Sequence, residues 1–89
     1  SGHSTAKQSQ YVGHVTEIDA EGWATVEVKN RFAVGDTLEI IHPEGNQTVT
    51  LEQMTRKGAA VEVAPGNGIQ VKIPNMQGKE KALLARVIK

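Results

Sequence analysis

From residue 24 to residue 29 apolar and polar side chains alternate without a break, with Ala24, Val26 and Val28 on one side and Thr25, Glu27 and Lys29 on the other. A period of two describes a β-strand buried on one face only. Short runs rich in Val, Ile and Thr recur over 11–18, 37–41, 47–52, 60–63, 69–73 and 83–88. Turn-forming residues separate them: Asp19-Ala20-Glu21-Gly22, Pro43-Glu44-Gly45-Asn46, Lys57-Gly58 and Pro65-Gly66-Asn67-Gly68. Pro74 ends the run before it, because proline has no N–H to give to a ladder. A single helical turn is conceivable over 52–56, and a short helix is the alternative over 83–88. Nowhere do ten residues carry a convincing helical period. The expected fold is all-β: a small antiparallel barrel, open or distorted, of about seven strands. A barrel is favoured because closure removes the exposed edges of short strands. Its expected core is Ala24, Val26, Val28, Leu38, Ile40, Val49, Leu51, Val61, Ile69, Val71 and Ile73.

A chain of 89 residues makes one domain. Ser1-Gly2-His3 reads as a tag scar, so residues 1–9 are expected to be tag remnant and disordered leader and residues 10–89 the barrel. No stretch at the start combines basic residues with an apolar core, so no signal peptide is expected. The longest apolar run, 82–85, is far too short to span a bilayer, and no membrane partner is expected. The chain has no cysteine, which fits a reducing, cytoplasmic compartment. The isolated domain is expected to be a monomer.

The absence of cysteine also removes thiolate chemistry. Past the leader there is no serine, and the threonines fall mostly on strands, where Thr is an ordinary β-former. His3, His14 and His42 lack partners at metal-binding spacing. Gly66-Asn67-Gly68 lacks the helix and lysine of a phosphate-binding loop. No catalytic residue, metal site or cofactor is expected.

Ten Lys and Arg balance ten Asp and Glu, so this is no broadly basic nucleic-acid domain, although a local patch depends only on placement. The sharpest local pattern is Val28-Lys29-Asn30-Arg31-Phe32-Ala33-Val34-Gly35-Asp36-Thr37-Leu38-Glu39-Ile40. Phe32 and Val34 would plug the end of the barrel, and Gly35-Asp36 would turn the chain into the next strand. Packing explains these structural residues but asks nothing of Lys29, Asn30 and Arg31, which could face a phosphate backbone. Lys72 on a neighbouring strand would join them, with Arg56 and Lys57 as further cations. One Phe, one Tyr and one Trp are too few for a base-stacking platform.

The motifs carry a resemblance. Tyr11-Val12-Gly13, the Asn30-x-Phe32-x-x-Gly35-Asp36 core, Pro43-Glu44-Gly45, the segment Glu52-Gln53-Met54 and the strand ending at Pro74 come in the order of the C-terminal domain of the collagenase-like peptidase family U32. The similarity covers roughly residues 10–86. Val34-Gly35-Asp36-x-Leu38-Glu39-Ile40 also resembles the second domain of translation elongation factors, a β-barrel. The U32 resemblance implies a large N-terminal catalytic domain in the full-length protein. It implies peptidase activity or, for several bacterial members, hydroxylation of tRNA or ribosomal RNA with a cysteine-bound iron–sulfur cluster. Those cysteines have no counterpart here. The expected role is therefore a non-catalytic accessory barrel that positions substrate, RNA or tRNA, for the N-terminal catalytic domain. The alternatives are a module that binds collagen-like protein, with Trp23 as its anchor, or a structural cap with an apolar face left open.

Overall fold

The computed structural model describes residues 8–88, and the first seven positions of the expected leader lie outside them. The fold is all-β and antiparallel. Its strands are β1 (Gln8–Ile18), β2 (Ala24–Val28), β3 (Phe32–Ala33), β4 (Thr37–His42), β5 (Gly45–Thr50), β6 (Thr55–Arg56), β7 (Ala59–Ala60), β8 (Val63–Ala64), β9 (Gln70–Ile73) and β10 (Leu83–Ile88). Eight form one sheet in the order β5-β4-β10-β1-β2-β9-β6-β7, and β3 pairs with β8 in a separate ribbon. Among the described residues the sheet carries no ladder between its edge strands β5 and β7. It nevertheless wraps one core: Leu38 and Ile40 of β4 share a buried cluster with Val71 and Ile73 of β9, well separated from β4 in the strand order. The edges are blunted, since β5 is polar along most of its length and β7 has two residues.

Several expectations need correction. Strand β1 begins at Gln8, so the last two residues of the expected leader pair with Ile88 and Val87. Residues 55–56 are strand rather than helical turn, because Thr55 pairs with both Ala60 and Lys72. The expected strand over 60–63 is two strands. Ala59–Ala60 pairs with β6, then Val61 donates to the Met54 carbonyl (3.0 Å), Glu62 accepts from Val34 (2.8 Å), and Val63–Ala64 pairs with β3. The chain changes partner in mid-run, which no local pattern announces. The strand expected over 47–52 runs over Gly45–Thr50, because Leu51 leaves the hairpin to exchange backbone bonds with Gly35 and Asp36 (2.8 and 3.0 Å).

Of the expected core, Ala24, Val26, Val28, Leu38, Ile40, Leu51, Val71 and Ile73 are buried, while Val49, Val61 and Ile69 are partly buried against it. The core also takes Val12, Val15, Phe32, Met54, Ala64, Met76, Ala82 and Leu84. Val12 enters through a bulge: the β1–β10 register shifts between Tyr11 and Gly13. A second shift, between Val15 and Glu17, interrupts the β1–β2 ladder. Each bulge inserts one residue and reverses the inside–outside parity of the strand beyond it.

The Phe32-to-Asp36 stretch turns the chain into β4. Ala33 N–H donates to the Asp36 carboxylate (2.8 Å) and Asp36 N–H donates back to the Ala33 carbonyl (3.1 Å). Gly35 sits between them at φ +98°, a conformation that costs an L-residue steric strain. Phe32 is fully buried and Val34 partly so.

Candidate nucleic-acid interface

Cross-strand partners point to the same face of a sheet, so the register decides which cations meet. Lys72 lies opposite Thr25 on β2 and opposite Thr55 on β6. The chain leaving β6 turns through Lys57 and Gly58, both at positive φ, as a two-residue hairpin between Arg56 and Ala59. Arg56, Lys57 and Lys72 therefore line one surface groove of about 510 Å³, together with Glu17, Thr25, Thr55 and residues 68–71. Lys57 and Lys72 are exposed and Arg56 is half-buried. The groove presents three cations and one carboxylate.

The loop with Lys29, Asn30 and Arg31 stands at the other end of β9. It is fixed from three sides. The Val12 carbonyl accepts from Lys29 N–H (2.7 Å) and Asn30 N–H (3.2 Å), the Asn30 side-chain amide donates to the Tyr11 carbonyl (2.7 Å), and Gly68 N–H donates to the Val28 carbonyl (2.8 Å). The loop 65–68 packs behind it, with Gly66, Asn67 and Gly68 all at positive φ. A Cβ on Gly66 would meet the Lys29 carbonyl oxygen at 3.5 Å. Asn30 thus serves as a tether between β1 and the end of β2. Gly68 belongs both to this support and to the groove lining, so the loop borders the groove.

Lys29 is paired with Glu27 on its own strand face (2.5 Å). The Lys29 hydrogen bond, and then its charge, holds the Glu27 carboxyl below its ordinary value of 4.5, and Glu27 in turn raises Lys29. Both groups stand in solvent, where such pairs contribute little to stability. The sign is that of a depressed acid: its contribution is present above 4.5 and fades as pH falls through the lower folded value. In a carboxyl NMR titration Glu27 is expected to titrate below 4.5 and to move upward in Lys29→Ala; an unchanged midpoint in that variant would show that the pair is not formed in solution.

Arg31 is exposed and no ion pair engages it among the described residues. Trp23 is half-buried, and Asp19 fixes its backbone through hydrogen bonds in both directions (3.0 Å each). Glu17, Thr55 and Gln70, which also line the groove, carried no sequence signal. Only the β2–β9–β6 register assembles them.

This geometry defines a class: a small antiparallel β module with a modestly cationic groove on its outer surface. The chain belongs to the peptidase family U32 C-terminal domain, whose family model matches residues 7–86. It is 44% identical over 88 residues to a tRNA hydroxylation protein P of Escherichia coli and 36% identical over 89 residues to the protein of the same name from Haemophilus influenzae. Each alignment takes in 96% of this chain and 19% of the relative, so the chain spans about a fifth of their length. Among solved structures it is similar to the C-terminal domain of a U32 peptidase-family protein from Geobacillus thermoleovorans, with TM-score 0.78 and 26% identity over 90% of this chain and 93% of that one. A selenomethionine form of that domain aligns with TM-score 0.72 over 84% of this chain and 96% of that one. No helix of the described residues is long and apolar enough to cross a membrane.

Proposed function

We propose that this domain is a non-catalytic accessory module that holds RNA, a tRNA above all, for a catalytic part elsewhere in the same polypeptide. The observation that carries the reading is the groove that gathers Arg56, Lys57 and Lys72 from two strands and a hairpin tip, in a chain whose relatives are tRNA hydroxylation proteins. Charge of this kind contacts the phosphate backbone and supplies position rather than sequence readout. Lys29 and Arg31 extend the contact at the near end, and Asn30 holds their loop in shape. Glu27 competes with phosphate for Lys29, so Arg31 and the groove carry most of the binding. The chain's own part is geometric: it brings no serine past residue 9 and no cysteine.

Binding is expected to be weak and strongly salt-dependent. Three neutralised phosphates give a slope of roughly two to three in log affinity against log salt. An NMR titration with tRNA at low ionic strength should shift the amides of residues 28–34 and 68–72 together. Lys72→Ala should lower the salt slope by about one, and Arg56→Ala with Lys57→Ala should remove most of the shifts. Absence of shifts at low salt, or shifts confined to other strands, would end the RNA reading.

A further inference from the structure

The same outer face has a second region of opposite character. Leu83 of β10 lies directly opposite His14 of β1 on one side and Ile41 of β4 on the other. Tyr11 lies opposite Ala85, whose other neighbour is Glu39. Leu83 is 43% exposed and Tyr11 40%, and the Tyr11 hydroxyl is hydrogen-bonded to His14 Nδ1 (3.0 Å). These cross-strand partners present apolar and aromatic surface with one carboxylate and no Lys or Arg of their own, while Glu27, opposite His14 on β2, and its partner Lys29 border the patch. A phosphate backbone gains nothing there, whereas a protein surface gains the burial of Leu83, Ile41 and the tyrosine ring.

We propose that the outer face of β4, β10 and β1 around Tyr11, His14, Ile41 and Leu83 is the surface on which the polypeptide preceding this domain docks. Two observations select that occupant. The chain matches a C-terminal domain and 19% of the length of its relatives, so a far larger body of the same polypeptide lies ahead of it. The attachment is also local: β1 starts at Gln8, three residues before Tyr11 on the strand that carries the patch. The chain thus emerges beside the surface it would cover, and tethering raises the effective concentration of the two partners. In the sheet order the docking face (β4-β10-β1) adjoins the groove strands (β2-β9-β6). The docked body would stand next to the groove.

Thiol labelling tests this independently of RNA. The chain has no cysteine, so Leu83→Cys and, on the exposed edge strand β5, Gln47→Cys are read separately by peptide mass spectrometry. Each is made in the isolated domain and in the polypeptide extended to its full N-terminal length. The solved Geobacillus domain shows that a domain of this family folds alone, and Leu83 is exposed, so circular dichroism should be unchanged. Maleimide labelling at position 83 is expected to be at least about tenfold slower in the extended polypeptide, with position 47 unchanged. Equal rates at 83 overturn the proposal, as does equal slowing at 47. Slowing in the isolated domain that grows with protein concentration would assign the face to a second copy instead. Slowing that requires added tRNA would assign it to RNA.

Discussion

Phe32→Ala is expected to destabilise the domain by about 3–5 kcal/mol, a large share of the roughly 5–15 kcal/mol that holds a domain of ordinary stability together. Phe32 is among the largest side chains with no exposed surface, and it sits on a two-residue strand paired with Ala64. Truncation removes the transfer energy of a buried ring and leaves a cavity. The backbone cannot readily collapse into it, because the adjoining turn is locked by the Ala33–Asp36 bonds and by Gly35 N–H on the Leu51 carbonyl. Val63 is the internal control. It is on the partner strand β8 and opposite Ala33, yet it is 40% exposed. Val63→Ala should change stability by no more than about 0.5 kcal/mol. Urea unfolding followed by circular dichroism measures both. At roughly 4–8 °C per kcal/mol for a domain of this size, Phe32→Ala should lower Tm by at least about 12 °C. A loss below about 1 kcal/mol would mean that the ribbon of β3 and β8 does not close the core in solution.

Gly13→Ala is expected to cost about 3 kcal/mol, at the top of the usual range for overpacking. Gly13 has an ordinary strand conformation, so the reason is space. A Cβ built there lies 2.4 Å from the Glu27 carbonyl oxygen and 3.2 Å from Val26 Cγ1. The oxygen belongs to the backbone of β2, and no rotamer change can move it. Relief requires β1 and β2 to separate where Val12 also accepts the Lys29 and Asn30 N–H groups. The loop with Lys29 and Arg31 should therefore be disturbed as well. Amide exchange is expected to speed up at Val28 and Lys29 in the variant while β4 and β5 keep their protection. Uniform loss of protection would indicate global unfolding only, and stability equal to the parent would show that the two strands are not in this close contact.

Much of the fold was legible because alternation is a local property. Residues 24–28, 37–41 and 70–73 could be assigned a face directly, and the buried set on β2, β4 and β9 agrees with that assignment. Phe32 and Val34 were legible as plugs because two alternating apolar residues run directly into a tight Gly-Asp turn. The groove was legible only in part. Lys72, Arg56 and Lys57 could be noticed as cations, but their convergence rests on Thr55 pairing with the sequence-distant Lys72. Lys29 looked free in the sequence and is paired with Glu27. Asn30 looked like a contact residue and is a tether.

By itself the sequence determined the all-β class, the hairpins and the inward face of each regular strand. These depend on side-chain period and turn residues, which act within a few positions. Where that regularity breaks depends on pairing between strands distant in the chain. The bulges at Val12 and Thr16 switch the parity of β1, and the run from 59 to 64 trades β6 for β3. Met54 and Met76, outside any strand, complete the core. Each choice is settled by which distant strand offers unpaired N–H and carbonyl groups and unfilled apolar volume at that point, and neither quantity is written in the neighbouring residues.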